Sequence, residues 1–279
     1  MPAHTPRRPR PRPHPRTRSR AVVATAVLAP LLALGGTGIA LAADPGPVSG
    51  SAAVSGPAAG PVTGVAPAGP PGQGITGVPE GIARAAQGGD RAVAITIDDG
   101  PDPVWTPRVL DVLRRDHVHA TFCMIGTNAA KYPDLVRAVV ADGHRLCDHT
   151  VSHDETMDHK PVDYQRREIL DGKAMIENAA PGAPVDYYRA PGGAFTPDSR
   201  RIAAAAGMRP LGWSVDPRDW SRPGTRSVLD TVEQLRAHPT VLFHDGGGDR
   251  SETVAALNEA LPWFADHGYT FAFPDRLTP

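Results

Sequence analysis

From residue 92 onward the chain alternates short apolar runs with longer stretches whose apolar positions recur at helical spacing. Seven runs read as buried strands: 92–97 (AVAITI), 119–125 (HATFCMI), 144–148 (HRLCD), 185–188 (VDYY), 208–215 (MRPLGWSV), 240–243 (TVLF) and 269–273 (YTFAF). Helical segments with start and stop signals lie between them, from Pro133 to Gly143, from Pro197 to Gly207 and from Ser251 to Gly268. Strands alternating with helices predict an α/β fold with a parallel sheet. The expected architecture is an irregular parallel β/α barrel of about seven strands, because roughly 190 residues are few for a full eightfold barrel.

Upstream the pattern changes twice. Residues 1–20 carry seven arginines and no acid, and an uncharged apolar stretch follows from Ala21 to Ala42. A basic start, an apolar middle and small residues at Ala40 and Ala42 predict a secretory signal peptide over 1–42. The expected localisation is therefore secreted or cell-envelope associated, with membrane contact only through this segment if it stays uncleaved. Residues 43–79 hold eight prolines and nine glycines in 37 positions, without one aromatic. Such a composition buries too little apolar surface to offset its ordering entropy, so 43–88 is expected to be a disordered tether ahead of a folded domain at 89–279.

Loss of the seven arginines takes the formal net charge from −1 to −8. That acidity removes the electrostatic reason for holding nucleic acid. Cys123 and Cys147 both fall in predicted strands. In an exported chain they form one disulfide or remain two buried thiols; the sequence leaves both open.

The chemistry gathers at strand ends. Asp98–Asp99–Gly100 follows the first strand, His149 closes the third with His153 four residues on, and Arg189 follows the fourth. Asp216 and Asp219 follow the fifth, and His244–Asp245 follows the sixth. In a parallel β/α barrel the active site lies at the C-terminal ends of the strands. Two histidines four apart with a carboxylate from another strand suit a divalent metal with an open position. Taken singly these patterns are weaker: HTVSH is also what a surface pair looks like, and Asp-Asp-Gly-Pro is ordinary turn punctuation.

Together the residues resemble the polysaccharide deacetylases of carbohydrate esterase family 4, which share the NodB homology domain. The resemblance covers roughly residues 89–277. Its five motifs stand in order as TIDDG (Thr96–Gly100), HTVSH (His149–His153), RAPG (Arg189–Gly192), DPRDW (Asp216–Trp220) and LFHD (Leu242–Asp245). The resemblance implies that Asp99, His149 and His153 hold one divalent metal ion, with zinc expected. It implies Asp98 as the general base toward water, paired with Arg189, which would keep it ionised. His244 would be the general acid, favoured in its protonated form by Asp216, with Asp219 the less favoured candidate. The Gly192 backbone N–H would be an oxyanion donor. The implied activity is hydrolysis of N-acetyl or O-acetyl groups on a polysaccharide, with peptidoglycan or chitin-type N-acetylglucosamine expected and a monomer acting alone.

One departure stands out. The third motif lacks its usual tyrosine and has Gly192–Gly193 there, which predicts a more open groove. Trp213 and Trp220 are expected to pack in the core rather than on sugar. His117, His119, His144, His238 and His267 are expected to be structural. A non-catalytic carbohydrate-binding module on the same scaffold is the alternative reading, and a metal-dependent phosphoesterase is a more distant one.

Overall fold

The computed structural model describes residues 77–234 and 237–278. The expected signal peptide and the tether up to residue 76 lie outside the described residues. Among the described residues no helix is long and apolar enough to cross a membrane.

Seven strands form one sheet: β1 (Ala92–Asp98), β2 (Thr121–Met124), β3 (Arg145–Asp148), β4 (Val185–Tyr188), β5 (Arg209–Pro210), β6 (Thr240–His244) and β7 (Thr270–Phe271). Their order is β5-β4-β3-β2-β1-β6, with β7 also on β1, and every pairing is parallel. The sheet curls into a half-barrel, and a bridge between Val215 and Val241 brings the chain beyond β5 onto β6. All seven expected strands are present, but β5 and β7 shrink to two residues each. At β5 the reason is Pro210, which has no N–H to continue the ladder.

Helices α1 (Trp105–Arg115), α2 (Gly126–Lys131), α3 (Pro133–Ala141), α4 (Val162–Ala179), α5 (Pro197–Ala205), α6 (Thr225–Val232) and α7 (Ser251–Asp266) surround the sheet. Every residue of β1 is buried, and its alternate side chains serve two different layers. Val93, Ile95 and Ile97 join the main core with α1 and α7. Ala92 and Ala94 belong to one separate interior cluster, and Cys123, Cys147 and Tyr187 on β2, β3 and β4 belong to another.

These small interior residues correct the boundary of the expected tether. Ala83 packs with Cys123, Cys147, Tyr187 and Leu211, and bridges link Ala83 to Leu211, Ala85 to Pro239 and Ala86 to Pro274. Residues 83–86 are thus part of the folded domain. Their alanines fit an interior that larger side chains would overfill. Cys123 and Cys147 face each other in the β2–β3 register and form the disulfide, not a pair of free thiols.

Candidate active site

Parallel register brings the chemistry to one rim. Asp98 is the register partner of His244 on β6, while Asp148 aligns with Met124 on one side and Tyr188 on the other. The residues that follow, Asp99, His149 and Arg189, therefore leave the sheet at one level. Asp99 and His149 meet around a cavity of about 590 Å³ that Asp98, His153, Gly192 and His244 also line, while Arg189 is buried against Asp98.

Asp99 Oδ1 lies 3.6 Å from His149 Nε2 and 3.5 Å from His153 Nε2. These three atoms lie within 4.8 Å of one another. Ligand atoms about 2.0–2.1 Å from a tetrahedral ion stand about 3.4 Å apart, so the spacing suits such an ion. Two further features fit. Asp99 Oδ1 is buried without a hydrogen-bond partner, and His149 Nδ1 faces the Arg189 carbonyl at 2.8 Å. With that nitrogen donating its proton, Nε2 keeps a free lone pair. Burial, aided by neighbouring His153, pushes the His149 imidazole down to about 3, so it is neutral as a metal ligand must be.

Asp98 is buried beside this group. Its Oδ1 accepts from Arg189 Nη1 at 2.5 Å, and its Oδ2 lies 3.5 Å from His149 Nε2. Arg189 is 0% exposed. Its other donors reach Thr96 Oγ1 at 3.1 Å, the Leu211 carbonyl at 3.0 Å and the Gly212 carbonyl at 3.0 Å. The expected Asp98–Arg189 pair is present, but its electrostatic outcome differs from the expectation. Burial raises the Asp98 carboxyl above its ordinary range, although Arg189 and His244 pull it down.

His244 corrects a second expectation. Its Nδ1 is 2.8 Å from Asp219 Oδ1, and its backbone N–H donates to Asp219 Oδ2 at 2.9 Å. Thr253 Oγ1 also donates to that oxygen, at 2.8 Å. Asp216 is not the partner of His244: it is half-buried at the cavity wall and accepts from the Arg218 N–H at 2.8 Å. The physical reason is the left-handed turn at Arg218, which puts Asp219 inward at the start of a short 3-10 turn. Burial works to lower the His244 imidazole, but the Asp219 carboxylate, with Asp98 and Asp99, carries it above its ordinary value.

The tryptophans also depart from expectation. Trp220 is 46% exposed and Trp213 half-buried, and both line the cavity. A Cβ at Gly193 would stand 2.6 Å from the Trp213 ring, so the glycine directly after the third motif is what lets that ring lie there. Glu155 and Arg250 complete the wall without having been singled out in the sequence. None of His117, His119, His144, His238 and His267 lines the cavity.

Comparison with known proteins agrees with this geometry. The polysaccharide deacetylase family model matches residues 85–211. A chitooligosaccharide deacetylase of Sinorhizobium fredii is 40% identical over 192 residues, covering 65% of this chain and 89% of that protein. A peptidoglycan-N-acetylglucosamine deacetylase of Bacillus cereus is 40% identical over 194 residues, covering 67% of this chain and 88% of its own length. A family 4 carbohydrate esterase from Streptomyces lividans, solved in complex with acetate, superposes with a TM-score of 0.60 at 29% identity, covering 68% of this chain and 93% of that one. With the motifs, the fold and these relatives in agreement, the chain belongs to the polysaccharide deacetylase family.

Proposed function

We propose that this protein is an exported, zinc-dependent deacetylase that hydrolyses the N-acetyl groups of N-acetylglucosamine units in peptidoglycan or a chitin-type polymer. The observation that carries the reading is the convergence of three sets on one cavity: Asp98 with Arg189, His244 with Asp219, and Asp99 with the two histidines. Relatives named for chitooligosaccharide and for peptidoglycan N-acetylglucosamine support the substrate class. The arginine-rich leader supports export.

An acetamide is a weak electrophile with a poor leaving group. Asp99, His149 and His153 would hold the cation, which supplies Lewis acidity to the acetyl carbonyl and to water. Asp98 takes the proton from water at Oδ2, because Oδ1 is committed to Arg189. A carboxyl raised by burial suits this role, since a base works best when its pKa approaches the working pH. The Gly192 backbone N–H steadies the charge that develops on the acetyl oxygen. His244 then donates from Nε2 to the departing nitrogen, its Nδ1 being tied to Asp219. The C–N bond breaks, the water oxygen stays on the acetyl carbon, and acetate and the free amine leave.

Acetate release tests this. Full-length protein is supplied with N-acetylglucosamine oligomers, peptidoglycan or acetylated xylan, with zinc or with a chelator, and Asp98→Ala is the control. Zinc-dependent release from the first two, lost in the variant, is the expected result. Release from xylan alone would move the substrate, and silence on all three with zinc bound would favour the non-catalytic binding module.

A further inference from the structure

We infer that Glu168 on α4 is a positioning residue for the histidine pair, setting the backbone of the His149–His153 loop so that both rings face Asp99. The inference rests on the reading of Asp99, His149 and His153 as a metal site.

The loop is an unfavourable piece of backbone. Thr150 and His153 both adopt left-handed conformations, with φ of 69° and 57°. Residues other than glycine avoid that region, and strain of this kind persists only where the surroundings over-determine it. Here all five N–H groups of the loop are engaged. His149 donates to the Met124 carbonyl at 2.9 Å, and Thr150 to Asp148 Oδ1 at 3.0 Å. Val151 donates to the Glu168 carbonyl at 3.0 Å, Ser152 to Glu168 Oε2 at 3.0 Å, and His153 to Thr150 Oγ1 at 3.1 Å. The Ser152 hydroxyl also donates to Glu168 Oε2, at 3.0 Å. Backbone and side chain of one residue on α4 thus take three of the loop's hydrogen bonds.

The helix is built to approach this closely. Gly172 lies four residues after Glu168, on the same face. A Cβ there would stand 2.5 Å from Asp148 Oδ1 and 2.8 Å from the Thr150 carbonyl carbon. A glycine in the middle of a helix is unfavourable by itself, and contact with the loop accounts for it. Glu168 is almost fully buried, and its side-chain hydrogen bonds go to Ser152 rather than to either imidazole. Its effect must pass through the loop to the metal ligands.

The test is zinc affinity of the full-length protein, read by competition with a chromophoric chelator, alongside the thermal midpoint of the zinc-free protein. Glu168→Ala should bind zinc ~10–100-fold more weakly while the zinc-free midpoint shifts little, in the range known for groups that orient metal ligands. Glu168→Gln, which keeps an acceptor oxygen for Ser152, should recover most of that affinity. Unchanged affinity in Glu168→Ala would overturn the inference, as would Glu168→Gln binding no better than Glu168→Ala. If Glu168→Ala does not fold, Ser152→Ala, at an exposed position and lacking only the hydroxyl donor, takes its place; weaker zinc binding supports the clamp and unchanged binding overturns it. Wild-type protein that takes up no zinc would remove the metal-site reading itself and the inference with it, a result distinct from a failure of the variants.

Discussion

Each carboxylate and imidazole at this site takes its working state from what it is pressed against. In the proposed mechanism His244 must be protonated to act as an acid, and Asp219 is the group that holds its pKa up. Asp219→Asn should therefore lower kcat roughly 100-fold, within the usual range for general acid catalysis, and move the alkaline limb of the pH profile to lower pH. Asp216→Asn should leave that limb in place; pH profiles of kcat/KM for the two variants check the assignment. The acidic limb has the opposite sign. As the proposed base Asp98 must be ionised, so activity should fall as pH drops through a pKa that burial has raised above its ordinary value. Arg189→Met would leave Asp98 charged and unpaired in the interior, costing about 3–5 kcal/mol of stability by urea denaturation. Most of these residues are legible in the sequence because each directly follows an apolar run. The choice between Asp216 and Asp219 was not, since it depends on a left-handed turn at Arg218 that no periodicity records.

Elements differ in how well their pattern announces them. β1 and β6 are buried throughout, and such continuous apolar runs are what a sheet covered on both faces requires. α4 is harder to read: its buried face is Gln165, Glu168, Ile169, Gly172, Ile176 and Ala179, so half of the stripe is polar or has no side chain to count. The segment at 83–86 is legible only from the other side, through the small interior residues it packs on. Just ahead of β3, His144 joins two elements by accepting the Ala120 N–H through Nδ1 at 3.1 Å. Burial pushes its imidazole down to about 4 from 6.5. The unfolded chain therefore binds the extra proton first, and stability should rise with pH from about 4 to about 6.5, by about 3 kcal/mol from this residue. His144→Asn, which keeps an acceptor oxygen, should flatten that slope in urea titrations at several pH values.

For the whole molecule, the Cys123–Cys147 disulfide connects the interior of the barrel to the rim where the chemistry sits. The two cysteines are 24 residues apart in sequence, and the chain between them contains α2 and α3. Closing a loop of this length removes unfolded-chain entropy worth about 3 kcal/mol. Cys123 is also the register partner of Asp98, and Cys147 lies two residues before His149, so the bridge joins β3, which leads to His149, to β2, the strand lying between β3 and β1. Replacing both cysteines by alanine should therefore lower global stability by about 3 kcal/mol in urea. If the strands are held in place mainly by the sheet itself, zinc affinity should be unchanged. A parallel loss of zinc affinity would mean that the bridge also fixes β3, and the histidines that follow it, against β2. Such a bridge persists in an oxidising compartment, where the export proposed from the sequence of residues 1–42 would place the chain. Stability measured with and without a reductant gives the contribution of the bridge directly.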